Sequence, residues 1–483
     1  MAITRGKVQD RAYAPNSIIF DKRCSWTHHI IFLKSAITPR LNIIKMLSHT
    51  SWGSKTHVLL TIYKSLILSK LDNGSFIWTT ANKSITKKLD TIHNSGLRMA
   101  IGTYRSSPIP SIYNLACTPP LDIRRLKITL NHELKLANTL PSLDFNPKFK
   151  ILTTLLQENN LVISDLLTIS PPLTPQWTNL NVANTELSIL KKKDTPPSIY
   201  KQEYFHIIQN IKCEKIYTDA SKSQIGVGAA VVWNNMEFMY KLPSSCSIFT
   251  AEAFAIIKAL DLITDRHLQD TIIFTDSLSA INNINNTNNP SDIGLYVQNK
   301  IYTLQKINNF KIKLFWIPGH SNIIVNERSD LAAKTAITST LSSPTNIIAY
   351  RDIQALITNK CHLRWHQKWL SYSTKLNQIK HNTDNWTFPI ETLRKFEVII
   401  TRLRIGHSQI SHSFLMAKED PPTCATCGVQ ITIKHILTEC RTYLNIRSSL
   451  NMPEPLSEIL QNHPKAITGI IQFITVANLQ SKI

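Results

Sequence analysis

An α/β architecture is the fold class predicted for this chain: a mixed five-stranded sheet in the order βββαβαβα, flanked by helical N-terminal and C-terminal regions. Three observations predict it. Three short β-forming runs follow one another from residue 215, the later runs alternate with helical patterns, and the sequence on either side spaces its apolar residues as helices do.

Before the sheet, the stretches LNIIKMLSH, THVLLTIYKSLILSKLD, SITKKLDTIHNSGLRMAI and LDIRRLKITLNHELKLANTL all carry apolar residues at helical spacing. The proline-bearing breaks SSPIPS and CTPPLD separate them. A helical segment over residues 1–140 is therefore expected. Residues 141–210 hold SPPLTP, DTPPS and the lysine run 191–193, a composition expected of a poorly structured linker whose few apolar clusters can dock on a neighbour.

The sheet region is expected over 211–340. KIYTDAS, GVGAAVVW and MEFMYKLP read as three strands, TAEAFAIIKALDLI as a helix and TIIFTDS as a fourth strand. SLSAINNI reads as a second helix, KIKLFWIPGH as the fifth strand and NERSDLAAKTAI as the closing helix. An antiparallel meander followed by crossovers is the implied topology. The Asn-rich run 281–292 reads as a helix end and surface loop. Beyond 350 the chain reads as helical to about 415, with a cysteine-rich segment over 420–450.

Composition narrows the function. Fifty-four Lys and Arg against 32 Asp and Glu give a net charge of +22, which suits a polyanionic partner such as nucleic acid or simply a solvated basic surface. The N-terminus lacks the apolar core of a signal peptide, and there is no apolar run long enough to span a bilayer. Of eight cysteines only three cluster, which argues against a secreted disulfide framework. An intracellular protein with no membrane association is expected, in nucleus or cytoplasm.

The chemistry-bearing residues are acids in apolar surroundings. Asp219 follows Ile216-Tyr217-Thr218, where an unpaired buried carboxylate is strongly disfavoured. Asp-Ala-Ser-Lys-Ser is also good turn chemistry, so Asp219 taken alone reads better as the start of a turn, and the functional reading needs other acids brought to the same spot. Glu252 shares a helical stripe with Ile256, Ala259 and Ile263, and so faces the sheet. Asp276 ends its apolar strand as Asp219 does. If those strands are parallel neighbours joined by the Glu252 helix, the three acids converge at the strands' carboxyl ends. Asp330, ten residues past His320, offers a fourth. Clustered carboxylates repel, and all-oxygen ligands suit Mg²⁺ or Mn²⁺. Two such ions can bracket the attacking and leaving oxygens of a phosphoryl displacement. Taken singly, each acid also reads as an ordinary surface residue.

YTDAS, AEAFAIIKAL, FTDS and WIPGHSNIIVNERSDLAAKTA resemble the type-1 ribonuclease H family. The resemblance implies a ribonuclease H-like fold and hydrolysis of the RNA strand of RNA/DNA hybrids. It also implies that Asp219 bridges two metal ions, that Glu252 and Asp276 complete the first site, and that Asp330 contributes to the second. His320 matches a mobile histidine that handles protons or product release. Asn326 and Glu327 match the pair that opens the last helix, where Asn can cap and Glu suits the positive end. Ser221 is a candidate for reading 2′-hydroxyl groups. Ala220 and Val325 stand where this family customarily has glycine, the former adding a methyl group toward the expected substrate side.

FDKRCSWTHHI, KMLSHTSWGSKTHVLLTIYKSLILSKLDNGS and LDTIHNSGLRMAIGTYRSSPIPSIYNLACTPPLDIRR resemble the thumb or connection region that follows the polymerase palm in jockey-like non-LTR retrotransposon reverse transcriptases. No adjacent Asp-Asp pair lies upstream of residue 211. A truncated polyprotein without polymerase activity is expected. CATCGVQITIKHILTEC supplies Cys424, Cys427, His435 and Cys440, a tetrahedral zinc set with Gly428 easing the turn. The alternative is a short hairpin and helix with incidental reduced cysteines. Arg364, Trp365, His366, Lys368 and Trp369 interleave charge and aromatic rings, and at helical spacing the two tryptophans read as one packed face rather than a base-stacking platform. Two functions remain open: a metal-dependent hybrid ribonuclease, or a nucleic-acid-binding remnant that keeps the fold without turnover.

Overall fold

The computed structural model describes residues 3–4, 18–139, 150–168, 171–173, 182–190, 194–209 and 211–483. They form two compact units, Met1–Thr129 with Asn359–Ile483, and Leu130–Thr358. Packing thus divides the chain differently from the five consecutive segments read along the sequence, because the N-terminal and C-terminal helices share one unit.

In the first unit, β1 (Ile3–Thr4) and β2 (Ile18–Ile19) form a small parallel pair, and among the described residues the other regular elements are mainly helices. Helices Thr27–Leu47, Thr56–Tyr63 and Lys83–Ile101 bury Leu33, Ile37, Tyr63 and Leu97 around Trp78. A second core joins Ile400 and Leu403 of the Arg394–Ile405 helix to Ile436, Ile470 and Phe473. Trp365 and Trp369 are buried, and the Trp369 indole N–H donates to Lys380 O at 3.0 Å. They are packing residues.

The second unit is built on a seven-stranded sheet of β3 (Ala183–Asn184), β4 (Glu214–Lys222), β5 (Val227–Trp233), β6 (Met236–Leu242), β7 (Asp270–Thr275), β8 (Lys311–Trp316) and β9 (Ser343–Pro344). The order across the sheet is β3-β8-β7-β4-β5-β6-β9. β4, β5 and β6 form an antiparallel meander, while β7 and β8 add in parallel beside β4. The five long strands are those read from the sequence, and the structure adds two-residue pairings at both edges. Strand β3 comes from the expected linker and β9 from beyond the closing helix, and neither is long enough to show a two-residue alternation.

Alternation along β4 assigns the faces. Ile216 with Val231, Ile273 and Leu314 meets the Ile248–Asp265 helix in one core. Tyr217 with Val232, Phe274 and Phe315 lines the other. Small residues bring the Ile324–Ala336 helix close to β5, with Ala332 and Ala333 packed on Ala230. Between β7 and β8 stand two helices, Leu278–Asn285 and Asp292–Tyr302, so the crossover order is βββαβααβα. The second was not read from sequence, although Ile293, Val297 and Ile301 are buried at helical spacing.

Where the expected linker is described it is ordered. It contributes helices Lys150–Gln157 and Pro197–Ile208 as well as β3. Tyr200 and Tyr204 are buried, and the Tyr204 hydroxyl hydrogen-bonds that of Tyr217. Aromatic burial on the sheet outweighs the local proline signal. The lysine run 191–193 and residues 170, 174 and 175 of SPPLTP lie outside the described residues.

Candidate functional site

Parallel pairing of β4 with β7 ends at Thr218 opposite Thr275. The next residue of each chain is an acid, so the register sets Asp219 and Asp276 abreast where that ladder stops. β7 finishes there, whereas β4 continues to Lys222 along β5, with Asp219 opposite Ala230. Asp219 therefore lies inside a strand, not in a turn or at the strand's end, and it is 5% exposed.

Glu252 comes from the Ile248–Asp265 helix, whose N-cap Ser247 accepts a hydrogen bond from Thr250 N at 3.2 Å. One carboxylate oxygen from each of Asp219, Glu252 and Asp276 lies within 4.8 Å of the others. Asp219 Oδ1 accepts from Ala220 N at 2.7 Å, while Glu252 Oε2 is buried without a protein hydrogen-bond partner. Burial, then the Asp276 charge, pushes the Asp219 carboxyl up to about 8. Burial, then Asp219, Asp276 and Asp330, pushes Glu252 up to about 10. An all-oxygen donor set with an orphaned buried oxygen fits a hard divalent cation, which relieves that repulsion.

Asp330 stands outside this trio. It is half-buried on the Ile324–Ala336 helix, where its Oδ2 accepts from Lys334 Nζ at 2.6 Å and lies 3.9 Å from His320 Nδ1. The His320 side chain is 72% exposed. Asn326 differs from its expected place, because the helix begins at Ile324 with Ile323 as its N-cap and no side-chain cap. Asn326 is buried inside the first turn, and Glu327 Oε1 instead accepts from Asn322 N at 3.2 Å. Ser221 is half-buried opposite Gly228, and alternation puts it on the face of Asp219. The same alternation sends the Ala220 methyl group to the opposite face from Asp219, the face of Ile216 on which the Glu252 helix packs, and Ala220 is buried there.

Two residues of this region were not singled out from sequence. Gly319 is one: a Cβ added to it would come 2.3 Å from Asp276 Oδ2, so only glycine lets the loop pass that carboxylate unshifted. Lys334 is the other, and its i,i+4 spacing from Asp330 is the local signal that could have found it.

In the other unit, Cys424, Cys427, His435 and Cys440 each bring a ligand atom within 4.8 Å of the rest. The first two lie in a hairpin turn in which Gly428 N donates to Cys424 O at 2.8 Å and Gly428 takes φ +69°. The Cys424 and Cys440 sulfurs are 3.8 Å apart, about the edge of a zinc tetrahedron with bonds of roughly 2.3 Å. The His435 ring beside it is the largest cause drawing the Cys424 thiol down to about 6. His435 Nε2 is buried without a hydrogen-bond partner, and Ile436 and Leu437 following it belong to the core. Three thiols and an imidazole fit Zn²⁺.

Residues 212–338 match the family model for RNase H. Among solved structures, RNase H1 from Halobacterium salinarum NRC-1 is 20% identical, with 26% of this chain and 96% of that chain covered and a TM-score of 0.21. LC11-RNase H1, isolated from compost, is 20% identical over 27% of this chain and 100% of its own, with a TM-score of 0.23. An N-terminal RNase H domain from Mycobacterium tuberculosis, solved as a fusion with maltose-binding protein, is 18% identical over 26% and 98%, with a TM-score of 0.21. No curated protein matches the chain. Residues 212–338 thus form an RNase H domain within a longer chain. Among the described residues, no helix is long and apolar enough to cross a membrane.

Proposed function

We propose that this domain is a metal-dependent endonuclease of the type-1 ribonuclease H kind, hydrolysing the RNA strand of an RNA/DNA hybrid. The observation that carries the reading is the trio Asp219, Glu252 and Asp276, two of them buried and raised by that burial and by neighbouring carboxylates, inside the segment that matches RNase H. Asp219, Glu252 and Asp276 would hold one Mg²⁺ or Mn²⁺, and Asp330 would contribute to a second. When bound, the cations supply Lewis-acid stabilisation of the charge that builds on the phosphodiester.

The chain's own residues have distinct parts. Strand register brings Asp219 and Asp276 abreast, so two of the carboxylates are gathered by the backbone before any ligand arrives. His320, exposed and 3.9 Å from Asp330, would take or give a proton at a ring nitrogen, a role its match to the family's mobile histidine supports. Ser221 shares the face of Asp219 and is the candidate for reading a 2′-hydroxyl. Water adds to phosphorus, the bond from phosphorus to the 3′ oxygen breaks, and that oxygen gains a proton. The products are a 5′-phosphate and a 3′-hydroxyl.

The Cys424, Cys427, His435 and Cys440 group is proposed to bind one structural Zn²⁺. The resemblance of residues 15–140 to a segment that follows a reverse transcriptase palm supports descent from a retrotransposon polyprotein. One observation favours the second reading, a nucleic-acid-binding remnant with little turnover: Asp330 is engaged by Lys334 rather than gathered with the other acids.

The deciding experiment is incubation of the full chain and Asp219→Asn with a labelled RNA/DNA hybrid and a DNA duplex in Mg²⁺ or Mn²⁺. Cleavage confined to the RNA strand and lost in the variant supports the enzyme. Hybrid binding by folded wild-type protein without cleavage supports the remnant.

A further inference from the structure

A carboxylate beyond the RNase H match is built into the support of the Glu252 helix. Asp352 lies at the start of the Tyr350–Leu370 helix, fourteen residues past the end of the matched segment, and it is 4% exposed. Its Oδ1 accepts from Ser247 N at 3.2 Å. Ser247 is the N-cap of the helix that carries Glu252. A carboxylate is favoured at that end because the unpaired backbone N–H groups of a first turn give it partial positive charge.

The same point is held from the sheet. Lys222 at the end of β4, three residues beyond Asp219, donates from Nζ to Cys246 O at 2.6 Å. The Cys246 thiol donates to Ile347 O at 3.7 Å. The chain leading to Asp352 is laced in on both sides. Thr345 N donates to Lys241 O at 2.9 Å beside the β6–β9 pair, and Ile348 exchanges backbone hydrogen bonds of 2.9 Å with Asp165 and Leu167. The first turn of the Glu252 helix is therefore clamped between the strand bearing Asp219 and the segment 343–352. Glu252 follows the clamped cap by five residues, just over one helical turn at 3.6 residues per turn.

We propose that Asp352 is a positioning residue for the carboxylate site: by holding Ser247 against the end of β4, it sets the height and rotation at which Glu252 meets Asp219 and Asp276. It touches no reacting atom. The 343–352 segment then belongs to the working nuclease, although it lies outside the residues that match RNase H. This inference rests on the trio being a divalent-cation site, as the proposed function holds.

The test uses the full chain with Asp352→Ala and Asp352→Asn. Asn keeps an oxygen to accept from Ser247 N, whereas Ala removes it. Mn²⁺ binding is measured by calorimetry, with cleavage of an RNA/DNA hybrid followed against Mn²⁺ concentration and circular dichroism reporting the fold. Partners that orient metal ligands typically contribute about 10- to 100-fold in metal affinity, so Asp352→Ala is expected to weaken Mn²⁺ binding by about tenfold. Asp352→Asn is expected to recover most of that loss.

Unchanged Mn²⁺ affinity in a folded Asp352→Ala protein overturns the proposal, even if its thermal stability falls. If Asp352→Ala does not fold, Asp352→Asn decides: loss of affinity equal to that of Glu252→Gln overturns the role assigned to the hydrogen bond. Wild-type protein that binds Mn²⁺ without cleaving leaves this inference standing while the proposed activity fails. Wild-type protein that binds no Mn²⁺ removes both.

Discussion

Gly319 passes so close to Asp276 that a single methyl group on it would lie 2.3 Å from the carboxylate Oδ2. The loop after β8 therefore forms one wall of the acid trio. Asp276 is confined on its backbone side as well, since Trp316 Nε1 donates to Asp276 O at 3.0 Å.

Gly319→Ala is expected to turn the Asp276 carboxylate away from Asp219 without unfolding the domain. A misplacement of about 1 Å at such a site can cost roughly 100-fold in rate. We expect a drop of about 10- to 100-fold in hybrid cleavage with a small change in melting temperature. Steady-state kinetics alongside thermal denaturation check it, and wild-type rates in the variant would remove the close approach from the mechanism.

The raised acids make a pH prediction with a definite sign. Unfolded Asp and Glu titrate near 4, whereas Asp219 and Glu252 in the folded, metal-free protein are pushed up to about 8 and about 10. Between those limits the folded state holds protons that the unfolded chain has released. The stabilisation is fully present below the unfolded values and is lost as pH rises through the folded ones. In chelator, the Leu130–Thr358 unit should lose stability from about pH 4 to about pH 10, and saturating Mg²⁺ or Mn²⁺ should flatten the slope because cations favour the charged carboxylates. Asp219→Asn should flatten it without metal. Melting curves at several pH values with and without Mn²⁺ provide the measurement.

Lys334 competes for Asp330. Lys334→Gln should free that carboxylate and lower the cation concentration needed for half-maximal activation. The pair is surface-facing, with the lysine side chain 53% exposed, and such pairs are worth about 1 kcal/mol or less, so the shift should stay within about fivefold. A metal-activation curve that does not move, or moves the other way, would show that Asp330 is not limited by its lysine.

The cysteine group should carry about one zinc ion per chain, measurable by elemental analysis of protein purified without added metal. Cys440→Ser should lose the ion. It should also destabilise the Met1–Thr129 with Asn359–Ile483 unit, because Cys440 is buried and His435 leads directly into Ile436 and Leu437 of the core. Metal-free protein with an unaltered melting temperature in Cys440→Ser would favour incidental cysteines.

The local sequence by itself determined the five long strands, the helix bearing Glu252 and the presence of acids in apolar runs, because side-chain periodicity and an acid in an apolar run are local signals. The Cys-x-x-Cys spacing was legible for the same reason. Only the tertiary structure decided what depends on approach between distant segments. Asp219 and Asp276 are neighbours because β7 lies beside β4 in one register. Gly319 is required by a carboxylate forty-three residues earlier, and Asp352 reaches the helix cap at Ser247 across one hundred and five residues. Aromatic burial likewise drew Tyr200 and Tyr204 onto the unit from a stretch whose prolines read as linker. Such contacts leave no period in the sequence, since their energy comes from surfaces that meet only after the chain has folded.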